Sequence, residues 1–143
     1  MALLEAALYT KLSGTSAITD IVGSSTGCRI YPNVLPQDAT LPAIVYNRIS
    51  GPREQIMGGM SGLQSPRIQI NCYAATYAAA KALADKIRIS IDGTTRTTWG
   101  GETIEACILL DDGDLYESSE DQTERRLHGV RQDFEIWHQE ATS

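Results

Sequence analysis

Seven carboxylates fall within fourteen residues, Asp111, Asp112, Asp114, Glu117, Glu120, Asp121 and Glu124, with no lysine or arginine among them. Such a run invites a calcium reading, because DDGDLYESSED superficially resembles an oxygen-rich cation loop. An EF-hand, however, needs alternating ligands, a glycine at the sixth position, a glutamate at the twelfth and helices on both flanks. Here the glycine comes third and the flanks read as strands, so a solvated acidic turn is the expected form. His128 and His138 stand ten residues apart on one predicted strand, roughly 30 Å from end to end, and cannot share a metal. Cys28, Cys72 and Cys107 are odd in number and form no CxxC pair, which favours buried free thiols over a disulfide or a metal site. Gly58-Gly59 and Gly100-Gly101 lack the GxGxxG or GxxxxGK[ST] context of a phosphate loop, and no serine sits in GxSxG. The expectation is therefore no catalytic, cofactor-binding or metal-binding residues, no cofactor, and a protein that is not an enzyme.

Periodicity sets the elements that must position these side chains. Ile68, Ile70 and Cys72 alternate with Arg67, Gln69 and Asn71 as in a half-buried strand. After Thr76 the spacing turns helical, with Ala80, Leu83, Ala84, Ile87 and Ile91 on one stripe and Lys81, Asp85 and Arg88 opposite. There Lys81–Asp85 and Asp85–Arg88 can pair. Thr76 is the expected N-cap, and Gly93 can end the helix in the left-handed conformation. Residues 2–12 and 16–22 read as two further helices, with Ser16 capping the second. Strands are expected at 29–31, 43–49, 102–110 and 128–138. The predicted core is Ile68, Ile70, Leu83, Ile87, Ile104, Ile108, Val130, Phe134 and Ile136. The order α-α-β-β-α-β-β implies an α+β fold, one antiparallel or mixed sheet with helices on one face, in a single domain over 1–143.

Residues 50–65, SGPREQIMGGMSGLQS, read as a long irregular connection rich in glycine yet carrying Ile56, Met57, Met60 and Leu63. Loops of that length are usually functional or disordered. Two readings stand: a loose hairpin tip, or an arm that buries those side chains against a neighbour, with Arg53 and Glu54 at its rim. The net charge of −6 argues against a duplex-binding protein, which needs a basic face. The start, Met-Ala-Leu-Leu-Glu, has no basic n-region, and no apolar run approaches the ~20 residues of a spanning helix. A soluble protein made in a cytoplasm, with no membrane partner, is expected.

Four segments in order, ALLEAALYTKLSG, RIYPNVLPQDATLPAIVYNRISG, PRIQINCYAATYAAAKALADKIR and LYESSEDQTERRLHGVRQDFEIWHQE, carry a family resemblance. The chain resembles the tail-completion, or head–tail joining, proteins of long-tailed non-contractile phages and prophages, which are similar in fold to tail-terminator ring proteins. The resemblance covers residues 3–140. Its most specific pieces are Arg29-Ile30-Tyr31-Pro32, Leu41-Pro42 before the strand holding Tyr46, the joint from Tyr73 to Tyr77, and the closing Phe134-x-Ile136-Trp137. It implies a virion subunit made in the host bacterial cytoplasm. That subunit would form a ring, a hexamer in expectation, at the head-proximal end of the tail tube. The implied partners are other copies of the chain, the tail tube protein, a head completion or connector protein, and DNA passing without specific binding. Within that reading Arg53, Glu54, Ile56, Met57, Met60 and Leu63 are candidate contacts. Asp111, Asp112, Asp114 and Glu117 would line the channel, dock on a basic partner, or form an ordinary solvated turn. The competing readings are a head-side connector or stopper protein and a small-ligand-binding α+β module.

Overall fold

A computed structural model describes residues 4–23, 28–35, 40–50, 53–56, 59–99, 102–117 and 127–139; of 50, 53–56, 59–64, 102, 115–117, 127 and 139 it describes the backbone alone. The strand-to-helix joint forms as the spacing requires. Strand β5 (Arg67–Ala74) runs into helix α3 (Tyr77–Ile91), and the Thr76 hydroxyl accepts a hydrogen bond from the Ala79 amide at 3.2 Å, so the first turn has its cap. Gly93 sits at φ 77° just past the helix, the left-handed position that a side chain would strain. Helices α1 (Leu4–Ser13) and α2 (Ser16–Val22) precede it and bury Leu4, Ala7, Leu8, Leu12, Ile18 and Val22. The cap of α2 is Thr15 rather than Ser16, and its hydroxyl donates back to the Lys11 carbonyl at 2.7 Å, tying the two helices together.

The fold is α+β: three helices on a mixed sheet. Its strands are β1 (Ile30–Pro32), β2 (Ala43–Ser50), β3 (Arg53–Ile56), β4 (Gly59–Gln64), β5, β6 (Thr97–Trp99), β7 (Glu102–Glu117) and β8 (Leu127–Gln139). Among the described residues only the β1–β2 pair is parallel. The long strand β8 holds β5 and then β4 on one side and β7 on the other, while β6 extends β7. Cross-strand partners share a face. The registers Tyr46↔Ile70 and Ile68↔Phe134, with Cys72↔Val130, therefore turn one apolar face toward α3, and all six side chains are buried there.

In its described residues the connection 50–65 is not irregular. It folds as β3 and β4, which continue β2 and β5 in one long hairpin through the pairs Ser50↔Arg67 and Arg53↔Gln64. Its glycines hid the strands from a reading based on side-chain alternation, because backbone pairing does not need an apolar period. A second long hairpin is formed by β7 and β8, paired as far as Glu117↔Leu127. The first hairpin passes the C-terminal end of β8, whereas the described part of the second ends nearly level with β5, whose Ala74 pairs with His128.

Strand β7 also corrects the expected core. A bulge between Ile104 and Ala106 shifts its phase, so Ile104 and Cys107 are buried, Leu109 packs against the core, and Ile108 is 47% exposed. A one-residue slip turns every following side chain to the other face. Strict alternation across that segment therefore misassigned Ile108. Lys81 likewise does not pair with Asp85, which binds Arg88 at 2.7 Å instead.

Ile104→Ala is expected to cost about 2–5 kcal/mol and Phe134→Ala about 3–5 kcal/mol, as buried truncations do. Ile108→Ala should stay within about 0.5 kcal/mol of the parent. Equilibrium urea unfolding of the three variants checks the phase of β7: a loss at Ile108 equal to that at Ile104 would mean the bulge is absent.

Candidate interaction surface

Asp111, Asp112 and Asp114 lie within β7, opposite Asp133, Gln132 and Val130 of β8. They are not the tip of an acidic turn, as their spacing suggested; strand pairing runs past them to Glu117, whose side chain lies outside the described residues, as do residues 118–126. Nor are these acids without basic company. The Lys81 ammonium is 2.6 Å from Asp114 Oδ1, and the Tyr77 hydroxyl donates to Oδ2 at 3.0 Å. Lys81 also stands 5.2 Å from the centre of the Tyr77 ring, within cation–π range. The hydrogen bonds from Lys81 and Tyr77 hold the Asp114 carboxyl below the usual carboxylate range, and the bond to Asp114 raises the Lys81 ammonium. This cluster fastens the second hairpin to the first turn of α3.

The sheet face away from the helices carries a polar network. Asp133 Oδ2 accepts from Arg67 Nη2 and from Arg131 Nη1, each at 2.6 Å, and the Asp133 side chain is only 3% exposed. Arg131 also reaches Asp111 at 3.4 Å. A Cβ at Gly113 would stand 3.0 Å from the Arg131 guanidinium, so the glycine opposite Arg131 leaves room for it. Alternation along β8 puts Arg131 and Asp133 on one face, and the β5–β8 register, which the spacing did not show, brings Arg67 to them. Ile108, Leu110 and Ile49 are each about half exposed beside this network. Ile49 and Leu110 are the unpaired residues of two further bulges.

Of the candidate contacts in the first hairpin, Arg53, Glu54 and Ile56 lie on β3 and Met60 and Leu63 on β4, while Met57 lies outside the described residues. The structure does not bring them to the acids of β7, since the two hairpins point to opposite ends of the sheet.

An open cleft of about 410 Å³ lies between the α1–α2 turn and β6, lined by threonines including Thr10, Thr15, Thr95 and Thr98, with Lys11 and Trp99. Its lining among the described residues holds Lys11 as its one charged side chain and no histidine, carboxylate or cysteine. Burial pushes the Cys72 and Cys107 thiols up, the latter to about 12, which leaves them unreactive at neutral pH. Among the described residues no group of three or more histidines, cysteines or carboxylates could hold a metal.

The described residues form a sheet with helices on one face and a long hairpin that runs past its end. The sequence profile described as tail completion protein gp17 matches residues 6–139. The chain belongs to that family. Its role is accordingly structural, in a virion. Among solved structures it is similar to a chain titled "Virion of native gene transfer agent (GTA) particle", with a TM-score of 0.61 over 95% of this chain and 92% of that one. At 18% identity that likeness establishes the fold. No curated protein sequence matches the chain.

The Asp114–Lys81 pair should make stability depend on pH in a defined direction. The folded Asp114 carboxyl titrates below its unfolded value of about 4, so its contribution is complete above that pH and vanishes as pH falls through the lower folded value. Melting temperatures of the parent and of Asp114→Asn should thus differ most near neutrality and converge in acid. A difference that stays constant down to the lowest pH would contradict the pair.

Proposed function

We propose that this tail completion protein acts as one domain that closes the head-proximal end of the tail tube as a ring of six copies. The ring ends tube growth and presents the surface on which the head completion protein docks, with DNA passing through without specific binding. The observation that carries this reading is the long hairpin of β3 and β4 running past one end of a helix-covered sheet, with the acidic part of β7 at the other end. A subunit that must meet its neighbours, a tube below and a head above needs contacts at both ends of a rigid body. The first hairpin, with Arg53, Glu54, Ile56, Met57, Met60 and Leu63, serves as a contact arm. Its methionines suit adaptable packing.

Asp111, on the outer face of β7, serves on the channel side of the ring. Basic side chains there would bind phosphates with counterion release and stall a moving duplex. Lys81 and Arg131 are both engaged by carboxylates, so this region offers DNA little free positive charge. Nothing in the chain's charge supports a DNA-binding role instead.

Electron micrographs of particles assembled without this protein test the reading. Over-long tails, or finished tails unattached to filled heads, are expected. Tails of normal length beside emptied heads would assign the chain to a head-side connector and contradict tube termination.

A further inference from the structure

The threonine cleft between the α1–α2 turn and β6 has no part in the ring reading, and its hydroxyls are of two kinds. Three already donate to the backbone: Thr10 to the Ala6 carbonyl at 3.0 Å, Thr15 to that of Lys11 at 2.7 Å, and Thr94 to that of Ile91. The side chains of Thr95, Thr97 and Thr98, on the wall formed by β6 and the turn before it, are exposed and donate to no described residue. Thr97 shares its face of β6 with Trp99, which is 4% exposed and packs into the core beneath the helices. Its hydroxyl therefore turns to the side on which α1 lies against β6.

Across the cleft stands Lys11, which forms no ion pair among the described residues. Arg96, between the threonines, is held by Glu105 at 3.7 Å and does not line the cleft. Uncommitted hydroxyl donors facing an uncommitted ammonium, with no carboxylate in the described lining, suit an oxyanion. A neutral ligand would leave the ammonium without a counter-charge, and the buried Trp99 ring offers a sugar no face to stack on. The C-terminal end of α1, with its unfavourable dipole, lies here too. Its last carbonyls, however, are met by the amides of Gly14 and Thr15 and by the Thr15 hydroxyl. The acidic run begins at Asp111, seven residues along β7 from Ile104, the partner of Thr97. That is about 23 Å away, beyond the screening length of ordinary salt.

We propose that this cleft binds a phosphate group, free or as a small phosphomonoester, between the Lys11 ammonium and the hydroxyls of Thr95, Thr97 and Thr98. Its volume of about 410 Å³ falls in the range of small-molecule sites. The bound anion ties the turn after α1 to the edge strand β6 and so stabilises the folded subunit by mass action. The site is independent of the ring reading and stands or falls without it.

Calorimetric titration of the full chain with inorganic phosphate and, separately, with a nucleoside monophosphate tests this, with chloride at equal ionic strength as the control for screening. Saturable binding is expected, with amide shifts in NMR spectra confined to the segments around Lys11–Thr15 and Thr94–Trp99. Tighter binding of the monophosphate would make a phosphomonoester the source; equal affinities would make it free phosphate. Lys11→Met and Thr97→Val keep the size of each side chain and should melt like the parent in phosphate-free buffer. Each should weaken binding at least about tenfold, as loss of a hydrogen bond to a charged group does. Each should also lose the rise in melting temperature that phosphate gives the parent. Lys86→Met, on the exposed face of α3, should bind as the parent does. No binding of either probe beyond the chloride control, shifts centred away from the cleft, or parental affinity in Lys11→Met or Thr97→Val would overturn the inference.

Discussion

Strand β8 is the constraint on which the other parts depend. It is paired on both sides, with β5 and β4 along one edge and β7 along the other, so neither its register nor its facing can drift. Val130, Phe134 and Ile136 face the helices and are buried. Gln132 lies among them, and its amide donates to the Ala84 carbonyl of α3 at 3.0 Å, a polar contact inside the interface of helix and sheet. On the opposite face Asp133 gathers Arg67 and Arg131. A buried carboxylate is tolerable only when donors meet it, and these two arginines come from the neighbouring strand and from β8 itself. One strand thereby sets the core, the polar outer face and the line along which both hairpins extend.

The division of the acids follows from that frame. Seven carboxylates in a row along the chain suggest a uniformly repelling surface, but a strand sends alternate residues to opposite faces. Asp114 turns to the helix side and meets Tyr77 and Lys81; Asp111 turns to the outer side and meets Arg131. The acidic stretch is anchored at its base on both faces of the sheet, and a charged edge is what limits indiscriminate pairing of an uncovered strand.

Much of this was legible in the residues. The change of period at Thr76 and the apolar stripe of α3 predicted the joint that organises the fold, and the alternation of β5 and β8 gave their buried faces. The family was legible as well, from the order and content of its segments. The bulges of β7 were not, because two residues opposite one leave no mark in a pattern of apolar and polar letters, and Ile108 was misplaced as a result. Nor was the β3–β4 hairpin, whose glycines carry pairing without alternation. The network of Arg67, Arg131 and Asp133 needed the β5–β8 register, which no single segment shows.

The central claim is that copies of this chain form a closed ring at the head-proximal end of the tail tube. A reconstruction of the junction between head and tail, computed from electron cryomicrographs without imposed symmetry, measures this most directly. The account predicts a single closed ring of six identical subunits of this fold at the end of the tube. A lone copy, a two-fold dimer, or density for this chain at the far end of the tail would contradict it.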